Sequence, residues 1–152
     1  MSTDQNKAVV ERFLKELITE DRRELVEELV AEDYVYRGGD GEEYQGREGF
    51  LEVLDTYRNA FPDLHVEIDK MVAEGDVVAT WYTFSGTHRG ELEEIPPTGR
   101  KISSTSVQFT TVRDGLIVEE WDLVDQFSLL DTLGVVEVHR EPIDDRERPG
   151  AG

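Results

Sequence analysis

Three residues near the end of the chain are spaced so that they could support acid–base chemistry. Trp121, Leu123 and Asp125 lie two apart in a stretch with the alternation of a β-strand, so their side chains should share one face, while Asp122 and Val124 should point away. A carboxylate among apolar neighbours is poorly solvated, which raises its pKa. If this face lines a cavity, Asp125 could take a proton from carbon near neutral pH and return it. The alternative is that Asp125 caps a backbone amide or pairs with an arginine.

His88 is the second candidate for chemistry. An imidazole can donate a hydrogen bond to an oxygen on which negative charge develops, or it can relay a proton. Gly86 and Gly90 bracket a bend around this histidine. A histidine that is hydrogen-bonded to the following loop is therefore an equally good interpretation, and the sequence leaves both open.

Apolar side chains at helical spacing could form the wall of a pocket. Phe50, Leu54 and Tyr57 recur at i, i+4 and i+7, which predicts an aromatic-rich face on a helix over residues 46–60. Such a stripe can belong to the core, to a pocket wall, or to both. The residues predicted to line the pocket are Tyr36, Phe50, Leu54, Tyr57, Trp81, Phe109, Trp121 and Leu123.

The neighbours of Asp125 depend on the register of a hairpin that turns at Asp114 and Gly115. With a two-residue turn, the face of Asp125 also carries Ser104, Ser106 and Gln108. With a three-residue loop and a glycine bulge, that face carries Ser103, Thr105, Val107, Phe109 and Thr111. We favour the second register because its apolar members suit a cavity next to an indole.

The elements that must position these residues follow from periodicity. The pattern predicts three helices: one over residues 4–19, a second that begins at a capping box formed by Asp21 and Glu24, and a third over 46–60. After Pro62 the period changes to two, and the predicted strands run from residue 64 to a turn at 74–76, and over 77–87, 101–113 and 116–127. Helices followed by antiparallel strands are typical of an α+β fold, here a cone in which helices cover one face of a curved sheet. Its open mouth would suit a small, mostly apolar ligand.

Composition bounds the domain organisation and the partners. We expect one domain over residues 1–137 and an acidic, disordered tail over 138–152. With 35 acidic and 16 basic residues the formal charge is −19, so nucleic acids and anionic membranes would be repelled. Acids occur along nearly the whole chain, which indicates a halophile-like coat that is stable in molar KCl. No leader-like or membrane-spanning pattern occurs, so we expect a cytoplasmic protein.

Other kinds of site find no support in the sequence. The chain has no cysteine, and its histidines and acids are not spaced as metal ligands. Its glycine-rich loop at 38–41 lacks the lysine of a phosphate cradle. We therefore expect neither a metal nor an organic cofactor.

Two motifs resemble those of the SnoaL-like polyketide cyclase family. They are Gly86-Thr87-His88-Arg89-Gly90 with Ile95-Pro96-Pro97-Thr98-Gly99-Arg100, and Trp121-Asp122-Leu123-Val124-Asp125. The resemblance covers roughly residues 5 to 134 and implies an NTF2-like α+β cone with a pocket between the third helix and the sheet. It also implies that Asp125 is the general acid/base, and that the reaction is a ring closure by intramolecular aldol condensation without a cofactor.

The expected function is therefore proton abstraction α to a carbonyl in a small apolar molecule, with Asp125 and His88 as the catalytic residues. The same architecture also hosts isomerases, dehydratases and epoxide hydrolases. The alternative from another class is a binding module that holds a small apolar molecule without turnover. The convex face of the sheet commonly pairs in this fold, so we expect a homodimer or a larger homo-oligomer.

Overall fold

The structure, a computed structural model, describes residues 1–137, 139–142 and 144–147. Helix α1 (Thr3–Arg12) begins at a capping box formed by Ser2 and Gln5, and it continues as a π-helical segment, Phe13–Thr19. The helix predicted over residues 4–19 is confirmed. Its apolar stripe is buried, because Val10, Phe13, Leu14 and Leu17 all face the core.

The second predicted helix is short and begins later than expected. A 3₁₀ turn, Arg23–Leu25, leads into α2 (Val26–Leu29). The predicted capping role of Asp21 is wrong: its backbone has φ 54°, in the left-handed region, and its carboxylate accepts a hydrogen bond from Arg23 Nε at 2.9 Å. The chain therefore turns sharply between the two helices before it enters the sheet.

Six strands form a single curved sheet in the order β2-β1-β6-β5-β4-β3. The strands are β1 (Val30–Gly38), β2 (Glu43–Gln45), β3 (His65–Glu74), β4 (Val77–Thr87), β5 (Lys101–Arg113) and β6 (Leu116–Val124). The sheet is mixed and not purely antiparallel as expected, because β1 pairs with β6 in parallel. Helix α3 (Gly46–Ala60), whose bounds were predicted, connects β2 to β3 and packs against β1.

The hairpin between β5 and β6 combines features of both registers considered. Asp114 and Gly115 have φ 52° and 79°, as a type I′ turn requires, and Arg113 pairs with Leu116 across it. A bulge then shifts the pairing after Val112, so that Phe109 lies opposite Trp121. The turn is therefore the two-residue turn of the first register. Beyond the bulge, however, the strands pair as in the second register, which we favoured.

Strand β6 ends three residues earlier than the predicted strand over 116–127. Helix α4 (Gln126–Thr132) begins directly after it, and Asp125 is the residue that caps this helix. The chain thus leaves the sheet between Val124 and Asp125, which changes the environment of the carboxylate completely.

The remaining residues add little to the site. In the predicted tail, 138–152, a 3₁₀ turn is formed by Asp145–Glu147, whereas positions 138, 143 and 148–152 lie outside the described residues. The disorder of the tail stays a prediction. None of the helices in the described ranges is long and apolar enough to cross a membrane.

Candidate functional site

A cavity lies between the inner face of the sheet and the helices that cover it. The empty space in and in front of this cavity, with open solvent included, is about 620 Å³. Leu14 and Ile18 contribute from the π-helical segment, and Phe50, Leu54 and Tyr57 contribute from α3. Most of this wall is apolar, so the few polar groups that reach the cavity are the candidates for binding or chemistry.

Asp122 is one of two carboxylates that reach the cavity. Ser106 Oγ donates to its Oδ1 at 2.6 Å, Tyr82 Oη donates to Oδ1 at 3.0 Å, and Tyr36 Oη donates to Oδ2 at 3.0 Å. Burial raises the pKa of Asp122 above its ordinary value, and the three hydroxyl donors oppose that rise. The group is therefore a partly desolvated base whose charge is held by hydroxyls.

Glu120 is the second carboxylate, two residues earlier on the same face of β6. Tyr34 Oη donates to its Oε2 at 2.6 Å, and Gln108 Nε2 donates to its Oε1 at 3.0 Å. Burial, with a smaller contribution from the charge of Asp122, raises the pKa of Glu120 to about 8, although the Tyr34 hydroxyl lowers it. Glu120 is therefore protonated at neutral pH, which avoids two adjacent negative charges.

Strand order explains why these donors meet. The inner face of β6 receives Tyr34 and Tyr36 from β1 on one side, and Gln108 from β5 on the other, where it lies opposite Asp122. Tyr82 reaches the site from β4, one strand further away. Side chains from three strands thus converge on the two carboxylates of β6 because the sheet is curved toward its inner face.

Asp125, the predicted acid/base, lies outside this site. Its side chain is exposed, and its Oδ1 accepts the backbone N–H of Ser128 at 3.1 Å. That hydrogen bond lowers the pKa of Asp125 below its ordinary value, opposite to the predicted rise. The predicted placement of Asp125 in the cavity is wrong because β6 ends before it. The structural alternative, a cap on a backbone amide, is the observed one.

Four of the predicted pocket residues do not line the inner cavity, although Leu123 lines its mouth. They are half or more exposed on the outer face of the sheet: Trp81 (53%), Phe109 (51%), Trp121 (52%) and Leu123 (64%). Their predicted facing is wrong because the inner positions of β5 and β6 are taken by polar residues with partners. The outer residues are partnered differently; the Arg37 guanidinium, for example, lies 5.4 Å from the centre of the Trp121 ring.

The other four predicted pocket residues, Tyr36, Phe50, Leu54 and Tyr57, lie in the cavity lining. Sequence reasoning missed the polar members Tyr82, Glu120 and Asp122, and it considered Gln108 only in the register that was not favoured. One signal could have found them: acids that alternate with aromatic residues on a central strand need donors if they face inward, and tyrosines on other strands can supply these donors.

His88, the second predicted catalytic residue, is fully buried and does not line the cavity. Its Nδ1 accepts the backbone N–H of Thr98 at 3.1 Å, and its ring packs against Phe61 with the ring centres 5.6 Å apart. The imidazole therefore stabilises the loop that follows β4. The predicted position of His88 beside the substrate is wrong. Within the described ranges, no three His, Cys, Asp or Glu side chains are grouped so that they could hold a metal ion.

Comparison with solved structures places this architecture among NTF2-like proteins. AclR of Streptomyces galilaeus, a proposed hydroxylase, is 29% identical, covers 90% of this chain and 100% of its own, and has a TM-score of 0.78. IdmH of Streptomyces antibioticus, a proposed polyketide cyclase, is 34% identical, covers 86% and 99%, and has a TM-score of 0.73. A LEH-like epoxide hydrolase of M. tuberculosis shares the fold at 20% identity, with coverage of 86% and 90% and a TM-score of 0.69.

Comparison at the level of sequence agrees with the fold. No curated protein matches the chain. The model of one family, described as SnoaL-like polyketide cyclase, matches residues 8–133 and so includes the whole cavity. The chain therefore belongs to the SnoaL-like polyketide cyclase family.

Proposed function

We propose that this protein is a cofactor-independent enzyme that removes a proton α to a carbonyl in a small, apolar, polyketide-like molecule. Ring closure by intramolecular aldol condensation, or a related isomerisation or hydration, would follow from that step. Asp122 replaces Asp125 as the proposed acid/base.

The observation that carries the proposal is the position of the Asp122 carboxylate. It faces an apolar cavity while hydroxyls of Tyr36, Tyr82 and Ser106 surround it. A carboxylate with a raised pKa accepts a proton from carbon more readily than an exposed one does. The Cα–H bond breaks, the proton passes to an Asp122 oxygen, and the electron pair delocalises into the substrate carbonyl as an enolate. Because Glu120 is protonated, the site carries one negative charge before and after this step.

The proposal can be tested without the natural substrate. We expect the protein to catalyse exchange of the α-protons of 2-tetralone, a neutral bicyclic ketone, in D₂O as followed by NMR. Asp122→Asn should slow this exchange about 10²-fold or more, which is the contribution typical of a positioned acid/base. Asp125→Asn is the matched control, because asparagine also caps helices well, and it should exchange like the unaltered protein. Equal rates in the two variants, or no exchange by the unaltered protein, would contradict the proposal.

A non-catalytic binding module is the second candidate, and one observation favours it. Both oxygens of Asp122 already accept hydrogen bonds from protein hydroxyls, which would equally suit a fixed polar wall. Such a module would bind 2-tetralone without any exchange, so the same experiment separates the two functions.

We also propose that two copies associate through the outer face of the sheet. Trp81, Phe109, Trp121 and Leu123 form adjacent exposed apolar positions there, since Phe109 pairs with Trp121 and Val107 lies between Trp81 and Leu123. Contiguous apolar surface of this kind commonly marks an interface with another protein surface.

A further inference from the structure

Tyr57 differs from the other tyrosines of the cavity in what its hydroxyl contacts. Tyr34 donates to Glu120, and Tyr36 and Tyr82 donate to Asp122. The Tyr57 hydroxyl makes no hydrogen bond to any residue in the part of the chain that the structure describes. The Tyr57 side chain is half-buried and lines the cavity, so a ligand that supplies an acceptor can bind its hydroxyl without breaking a hydrogen bond within the protein.

The ring of Tyr57 is held in place by its surroundings. It is on the same face of α3 as Phe50 and Leu54, and it meets Phe84 edge-on with the ring centres 6.1 Å apart and the planes at 71°. The edge-on contact with Phe84 restricts the movement of the ring and therefore of its hydroxyl. The donor therefore occupies a fixed position in the cavity before any ligand arrives, which is the requirement for a preorganised contact.

Tyr57 lies in the same part of the cavity wall as the base. Tyr57 and Asp122 both line the inner cavity and also its mouth, where Asp40, Glu42 and Glu93 are the acidic lining residues. Burial, followed by the charges of Asp122 and Glu93, raises the pKa of Tyr57 above its ordinary value, so its hydroxyl stays protonated and can donate. An acidic mouth disfavours an anionic ligand.

We infer that the Tyr57 hydroxyl binds the substrate directly and donates a hydrogen bond to the carbonyl oxygen whose α-carbon faces Asp122. The inference rests on the proposed function and adds a substrate class to it, namely uncharged ketones or esters. When Asp122 takes the α-proton, negative charge develops on that carbonyl oxygen, and the Tyr57 hydrogen bond becomes charge-assisted and stronger. Tyr57 keeps its own proton throughout.

The test compares Tyr57→Phe with Tyr44→Phe, which removes a hydroxyl that does not line the cavity. Two probes are titrated by NMR: 2-tetralone and tetralin, the hydrocarbon that lacks its oxygen. Tyr57→Phe should weaken 2-tetralone binding about fivefold, as expected for one lost neutral hydrogen bond, and should leave tetralin binding unchanged. In the exchange reaction its kcat should fall about 100-fold, far more than KM rises. Tyr44→Phe should change neither quantity.

The outcomes separate this inference from the proposed function. If Tyr57→Phe binds and exchanges 2-tetralone like the unaltered protein, the inference is overturned, while loss of exchange in Asp122→Asn still supports the base. Equal weakening of both probes would also overturn it, because the ring would then act only by packing. If the unaltered protein does not exchange 2-tetralone, the proposed function fails, and selective weakening of 2-tetralone over tetralin still supports the contact by Tyr57.

Discussion

The two faces of the sheet reverse the usual distribution of polar and apolar side chains in its central strands. On the inner face, Glu120 and Asp122 are enclosed with hydroxyl and amide partners. On the outer face, Trp121 and Leu123 are half or more exposed. Buried acids are uncommon unless they are paired, and exposed large apolar groups are informative when they cluster. This contrast underlies both proposals, proton transfer on the inner face and self-association on the outer face.

Residues on the two faces differ by only one position along the strand. Successive side chains of β6 alternate, so the same four-residue stretch, Glu120 to Leu123, supplies both carboxylates and two members of the apolar patch. The inner face is stabilised by hydrogen bonds that each carboxylate accepts, whereas the outer face gains little until something covers it. Each prediction below changes one face and uses the other as its reference.

The largest effect is expected when the same charge is placed on each face. Val78 is fully buried on the inner face, and Val107 is 39% exposed on the outer face. Val78→Lys should lose about 4 kcal/mol or more of folding free energy, because it buries an unpaired charge. Val107→Lys should stay within about 1 kcal/mol of the unaltered protein. Chemical denaturation measures both, and similar losses in the two variants would contradict the assignment of the faces.

A pH effect is expected on the inner face alone. The pKa of Glu120 rises from 4.5 to about 8 on folding, so its contribution to stability is fully present below pH 4.5 and is lost as the pH rises through 8. Glu120→Gln cannot titrate. Between these pH values the unaltered protein should lose stability relative to this variant, by up to about 1.4 kcal/mol per pH unit. Parallel stability curves from denaturation at several pH values would show that Glu120 is not protonated in the folded state.

A smaller effect concerns association through the outer face. Leu123→Lys should raise the dissociation constant of the homodimer at least tenfold, because a charge would enter an apolar contact. Phe127, which is 54% exposed on α4 and not on the sheet, provides the control: Phe127→Lys should associate like the unaltered protein. Sedimentation velocity over a range of concentrations measures both. A monomeric unaltered protein would remove the outer face from this role.

The smallest effect is expected from salt. Molar KCl screens the exposed charges that give the formal −19, so the melting temperature should rise by about 5 °C. Buried groups are screened much less, and the difference between the unaltered protein and Glu120→Gln should persist in that salt. Calorimetry in dilute buffer and in about 2 M KCl measures both. A melting temperature indifferent to KCl would contradict the halophile-like interpretation of the acidic surface.

Much of the fold was predictable from the sequence. The helix over Gly46–Ala60 was predicted because its apolar residues recur at helical spacing, and the β5–β6 hairpin was predicted because Asp114 and Gly115 suit positive φ. Strand β1 and its parallel pairing with β6 were not predicted, because pairing between distant segments leaves no local pattern. The cap at Asp125 did leave a local pattern, because aspartate is a favoured N-cap residue whose carboxylate accepts the backbone N–H three residues later, here that of Ser128.

The candidate site was only half predictable, for a related reason. The helical wall of Phe50, Leu54 and Tyr57 follows from one local repeat, and all three line the cavity. The polar side of the site depends on hydroxyls that reach Asp122 from far along the chain. Tyr36 is 86 residues away from it in sequence, and Tyr82 is 40 residues away.

The sequence by itself determined the α+β elements, the acidic surface, and the rule that Asp122 and Trp121 must lie on opposite faces of β6. Only the tertiary structure decided which of those faces is enclosed. Alternation places neighbouring side chains on opposite faces, and this holds whichever face of β6 is enclosed. The choice was made by the free energy of satisfying the buried carboxyl group of Glu120 and the partly buried one of Asp122, which required tyrosines from β1 and β4 to meet β6 in three dimensions.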